Sequence, residues 1–103
     1  MEVTHLDDHL AYITDTQVRA TLSELLDEIK NWKPGNISLD PIKYAISMKI
    51  NNRVFAYMNP RRKHYVISTY DADDEWKDFP VKTDDDQNTV KPIIKAAMER
   101  RMT

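Results

Sequence analysis

The chain has 103 residues, 15 Lys and Arg against 17 Asp and Glu, a net charge of −2, one glycine and no cysteine. That length holds one domain, 1–103, and the missing thiols exclude a disulfide framework, a Cys-ligated zinc site and a cysteine nucleophile, which suits a cytoplasmic protein. The acidic start MEVTHLDDHL lacks the apolar run of a signal peptide, and the longest apolar stretch is residues 54–58, so no membrane partner is expected.

In chain order, THLDDHLAY reads as a short helix capped at Thr4, with Leu6 and Leu10 as its apolar contacts. Residues 15–32 then place Val18, Leu22, Leu25, Leu26, Ile29 and Trp32 at steps of three and four, the stripe of an amphipathic helix. Asp15 or Thr16 can cap it, and Lys33, Pro34, Gly35 and Asn36 end it with a breaker and a flexible residue. Residues 43–50, 53–59 and 64–70 are rich in Ile, Val, Phe, Tyr and Thr and read as three strands. Asn51 and Asn52 suit a two-residue hairpin turn because asparagine tolerates positive φ. Asn59 and Pro60, followed by Arg61, Arg62 and Lys63, suit a type I turn. The acidic stretch DADDEWKDFPVKTDDD leaves room for a fourth strand at 79–83, where Pro80 is tolerable only at an edge, with Trp76 and Phe79 anchoring it to the body. NTVKPIIKAAMERR closes the chain as a helix. Asp86 to Thr89 would cap it, Pro92 would sit in its first turn, and Arg100 and Arg101 would face the negative end of its dipole. The expected fold is α+β: an N-terminal helix, a three-stranded antiparallel meander with that fourth edge strand, and a C-terminal helix.

Charge is arranged in blocks. Residues 1–42 carry three basic and eight acidic side chains, 43–70 carry six basic and none acidic, 71–86 two and eight, and 87–103 four and one. Such blocks are either solvated faces that attract one another within the fold or a surface for an anionic partner. With Ile50 opposite Arg53, one sheet face would collect Ile46, Met48, Phe55, Tyr57 and Val66 as core. The other would collect Ala45, Ser47, Lys49, Val54, Ala56, Met58, Tyr65, Ile67 and Thr69, either covered by a second layer or open as a contact surface. The same register separates Lys49 and Arg53, a solvated pair, from a far corner of Lys43, Arg61, Arg62, Lys63 and His64, about 24 Å away.

The order of these elements resembles a known family. HLDDHLAYITDTQVRATLSELLDEI followed by PIKYAISMKINNRVFAYMNPRRKHYVISTY is similar, over nearly the full chain, to the small uncharacterised domain labelled "predicted transport protein". The matching marks are Asp8, His9 and Leu10 before the long helix, Val18 and Arg19 at its start, Phe55 and Ala56 in the second strand, and Asn59 and Pro60 before the basic turn. That domain is commonly appended to the C-terminus of restriction-type endonucleases, so the resemblance implies a nucleic-acid-processing or defence setting and no established chemistry. Family members often have a Gly/His-rich stretch after the sheet, which is acidic here.

Catalytic and metal motifs fail on their own requirements. A phosphate-cradling loop needs several glycines, and Gly35 stands alone. Asp71, Asp73 and Glu75 suggest a calcium loop, but its turn position is Trp76 rather than glycine and its last position Lys82 rather than glutamate. Asp84, Asp85 and Asp86 read as capping and solvation, and His5 and His9 share a helical spacing without a third ligand. No metal, cofactor or enzymatic activity is therefore expected. Two readings stay open. The first is a binding module whose basic turn contacts nucleic-acid phosphates through Lys43, Arg61, Arg62, Lys63 and His64, with Tyr65 as an adjacent aromatic face. The second is an adaptor that docks a protein, such as a nuclease or a copy of itself, through the acidic loop or a mixed sheet face.

Overall fold

A computed structural model describes residues 10–33, 35–42 and 45–102. The start of the expected N-terminal helix at Thr4, the His5 and His9 pair, and Lys43 lie outside the described residues; residues 10–12 of that helix are helical, with Leu10 packed against the core. The elements are α1 (Thr16–Trp32), β1 (Ile37–Pro41), β2 (Ile46–Ile50), β3 (Arg53–Pro60), β4 (Tyr65–Tyr70), β5 (Trp76–Val81) and α2 (Asp84–Met102). The five strands form one antiparallel sheet in chain order, a plain meander framed by the two helices. The fold is thus α+β as expected, with five strands where three and an edge strand were read.

Both helices pack on one face of the sheet. Leu22, Leu25, Leu26 and Ile29 of α1 and Val90, Ile94 and Met98 of α2 share one buried cluster with Ile46, Met48, Ile50, Met58, Ile67 and Val81. Asp15 caps α1, its carboxylate accepting from the amides of Gln17 and Val18 at 3.0 and 3.1 Å. The helix ends at Lys33, after which Gly35 turns the chain at φ +86° into β1. β1 alternates Ile37 and Leu39, which pack on the core, with Ser38 and Asp40. It is short and bounded by prolines, which hides it among turn signals in the sequence. β5 forms the other edge and begins at Trp76 rather than at residue 79, with Pro80 at the edge where its missing N–H is tolerated.

The Asn51 and Asn52 turn is as expected, with φ of 49° and 68°. Ile50 pairs with Arg53 and Lys49 with Val54, but Met48 then pairs with Ala56, so Phe55 is an extra residue. This β-bulge places the consecutive residues Phe55 and Ala56 both in the core and slips the register beyond it by one. The sheet faces beyond the bulge are therefore the reverse of the expected ones. Ala56, Met58, Tyr65 and Ile67 point to the helices, whereas Tyr57 and Val66 lie on the opposite face. Thr69 stabilises the irregularity: fully buried, it donates its hydroxyl to the Phe55 carbonyl at 2.7 Å.

α2 begins earlier than the sequence pattern suggests. Thr83 and Asp86 form a capping box: the Asp86 amide donates to Thr83 Oγ1 at 3.1 Å, and the Asp86 carboxylate accepts from the Thr83 amide at 3.2 Å. Pro92 consequently lies inside the helix rather than in its first turn, where it has no N–H to give to the Asn88 carbonyl. At the other end Arg100 and Arg101 do more than face a dipole. Arg100 donates to the carbonyls of Asp71 and Tyr70 at 2.8 and 3.3 Å, and Arg101 pairs with Asp74 at 2.8 Å while its guanidinium stacks 4.3 Å from the Tyr70 ring centre. The acidic connection is thereby an ordered turn. Asp71 accepts from the amides of Asp73 and Glu75 and from Lys77 at 2.6 Å, so its carboxyl is held below the usual range, chiefly by the Lys77 hydrogen bond.

Thr69→Val removes the only hydroxyl that reaches the bulged carbonyl among the described residues, and Thr69→Ser keeps it. Losing one buried hydrogen bond costs about 0.5–1.5 kcal/mol, or roughly 2–12 °C in Tm for a domain of this size. Thermal unfolding of the two variants should show that loss for valine and a markedly smaller one for serine.

Candidate functional site

The basic turn is four residues, 61–64, because Pro60 is still paired with Tyr65. The Arg61 amide donates to the His64 carbonyl at 2.8 Å and closes it. Asn59, expected to bond within the turn, instead donates across the sheet to Ser68 Oγ at 3.4 Å. The turn is fixed from outside by the segment that leads into α1. The Arg62 carbonyl accepts from both the amide and the hydroxyl of Thr14, at 2.6 and 2.9 Å. Arg19 supports that segment in turn, its guanidinium donating twice to the Ile13 carbonyl, at 2.6 and 3.0 Å.

Arg61, Arg62 and Lys63 are exposed, and among the described residues none of them forms an ion pair. Lys49, by contrast, is held by Asp40 at 3.3 Å, so it is not part of a solvated pair with Arg53. His64 is half-buried beside the turn, and burial first, then Lys82 and Arg61, push its pKa below the ordinary 6.5. Lys82 is thus a member of the corner that sequence reasoning missed. It follows β5, which the register Tyr65↔Val81 brings alongside the start of β4.

Tyr65 does not offer an aromatic face. It is 1% exposed, and its hydroxyl donates to Gln87 Oε1 at 3.2 Å. Burial, with Asp84 and Asp86 nearby, raises its pKa, so it stays a neutral donor. It forms the floor of a cleft of about 330 Å³ between the starts of the two helices, lined also by Asp15, Val18, Thr21, Lys82 and Asp84. Among the described residues the corner is therefore Arg61, Arg62, Lys63, His64 and Lys82, with Tyr65 beneath it as structure.

Tyr12 is 53% exposed on the segment that leads into α1, and a second exposed aromatic lies on the sheet face that α1 and α2 leave uncovered. Trp76 is 42% exposed, and Tyr57 and Tyr70 meet it edge to face at centroid distances of 5.6 and 4.9 Å. Tyr57 and Trp76 stand on β3 and β5 with β4 between them. They meet because β4 presents only Ser68 opposite Tyr57. Trp76 was expected to anchor β5 in the body; Phe79 packs partly on the core, but Trp76 points away from it. Among the described residues no group of three or more His, Asp or Glu could share a metal ion, and no helix is long and apolar enough to cross a membrane.

No family model, curated protein or solved structure matches this chain.

Because His64 titrates below 6.5, it is largely neutral at pH 7, and the charge of the corner comes from Arg and Lys. As pH falls through 6.5 the unfolded chain takes up a proton before the folded one, so His64 lowers stability on the acid side. An NMR titration should give His64 a midpoint under 6.5, and His64→Gln should remove that part of the pH dependence of unfolding.

Proposed function

We propose that this chain is a non-catalytic binding domain that acts in the cytoplasm and contacts the phosphates of nucleic acid through residues 61–63 and Lys82, in the nucleic-acid-processing or defence setting that the family resemblance implies. The observation that carries this reading is the mounting of the turn. Its backbone is closed at His64 and held to Thr14, while three cationic side chains project from it without ion pairs among the described residues. A fixed backbone lowers the ordering cost of binding, and the two guanidinium forks match phosphate oxygens. Lys82 adds a point charge from the neighbouring strand end. A net charge of −2 suits a local contact rather than a surface that wraps a polyanion.

The second reading, a protein adaptor, is favoured by one observation, the exposed Trp76 on the open sheet face. The acidic turn suits it less, since Asp71 and Asp74 are already engaged by Lys77, Arg100 and Arg101. Salt separates the two readings, because phosphate contacts release counterions and apolar contacts do not.

Binding of labelled DNA and RNA, single-stranded and duplex, should weaken steeply as salt is raised. Arg61→Ala and Arg62→Ala should each flatten the plot of log K against log salt by about 0.7–0.9. No binding at low salt, or a slope that neither substitution changes, overturns the phosphate reading.

A further inference from the structure

The open face of the sheet leads directly into the basic turn. From Arg61 along β3, the outward residues are Asn59 and Tyr57; β4 contributes Val66, Ser68 and Tyr70, and β5 contributes Pro80, Asp78 and Trp76. The cationic end and the indole are separated by the length of β5, about 20 Å. Ser68 is 6% exposed although neither α1 nor α2 lies on its side, and it pairs across the sheet with Tyr57 and Asp78.

We infer that this face is a stacking platform for unpaired bases, so that the nucleic acid held at the basic turn is single-stranded; the inference rests on the phosphate reading above. Four features support that occupant. Trp76 is exposed yet in T-shaped contact with both Tyr57 and Tyr70, so its orientation is set before anything binds. Arg101 occupies a face of the Tyr70 ring, which leaves Trp76 and Tyr57 as the stacking surface. Beside the rings, Asn59 donates to Ser68 at 3.4 Å and Ser68 to Asp78 at 2.5 Å, a polar row whose amide and carboxylate can meet the edges of splayed bases. Finally, two of the carboxylates next to Trp76 in sequence have cationic neighbours, Asp74 being paired with Arg100 and Arg101 and Glu75 lying 3.9 Å from Lys77, while Asp78 accepts from Ser68. A duplex keeps its bases stacked inside and cannot use such a surface. A strand of several nucleotides spans from cations to indole, within the roughly 4–16-nucleotide footprints of single-strand grooves.

The test uses the full chain with Trp32→Phe, which leaves Trp76 as the sole tryptophan, and as probes a short oligothymidylate and a blunt duplex of equal length. Oligothymidylate should quench Trp76 fluorescence and bind more tightly than the duplex. Trp76→Ala should weaken it on the order of 10- to 100-fold with an unchanged salt slope, and Trp76→Phe should keep most of the affinity. Binding with unaltered Trp76 emission, or equal affinity for the duplex, overturns the platform and leaves the phosphate contact standing. No binding of either probe overturns both. Quenching of Trp76 by raising the concentration of the chain alone assigns the face to a second copy and also overturns the platform. Should Trp76→Ala not fold, quenching and the phenylalanine variant still decide.

Discussion

The hydrogen bond from Thr69 to the Phe55 carbonyl is the point on which the arrangement of this molecule turns. A β-bulge adds one residue to β3 and locally disrupts its pairing with β2. Thr69, on the neighbouring β4 and fully buried, adds a side-chain donor to the carbonyl of the extra residue, Phe55. With the bulge satisfied, Phe55 and Ala56 both enter the core, and every residue of β3 beyond them exchanges faces relative to an uninterrupted pairing. Met58 and, through β4, Ile67 and Tyr65 turn towards the helices. Tyr57 turns away, to meet Trp76 on the open side.

The two ends of the sheet are held by different means, and the difference shapes their surfaces. At the end with the acidic turn, the charges are consumed internally: Asp71 by Lys77 and two amides, Asp74 by the paired arginines at the C-terminus of α2. At the other end, the chain's own backbone does the holding. The Thr14 amide and hydroxyl grip the Arg62 carbonyl, and the side chains of the turn remain outside. Two segments of opposite charge thus end with unequal availability, although their charge densities in the sequence are alike.

Much of this was legible in the sequence. The stripe from Val18 to Trp32 sets α1, because an apolar period near 3.6 has one way to be buried. The Asn51 and Asn52 hairpin is equally local, since positive φ is a property of the residues themselves. β1 was not legible because its two apolar side chains, Ile37 and Leu39, lie among proline and glycine signals and gain their stability from β2. The faces of β3 and β4 were misread for a sharper reason. Nothing in VFAYM marks which residue will be doubled, and the donor that stabilises the bulge lies 14 residues away. Tyr65 was consequently read as exposed, Trp76 as an anchor, and Lys82 was left out of the basic corner altogether.

Composition and periodicity by themselves determined the α+β class, both helices, the central strands, the first hairpin turn and the concentration of cations in the β3–β4 turn, all of which depend on neighbours close in the chain. Only the tertiary structure decided which face of the sheet is core, that α1 and α2 leave the second face uncovered with Trp76 upon it, and that Asp71 and Asp74 of the acidic turn are paired while, among the described residues, the cations of the basic turn form no ion pair. Those outcomes depend on pairings between residues far apart in sequence, and a one-residue bulge is enough to reverse them.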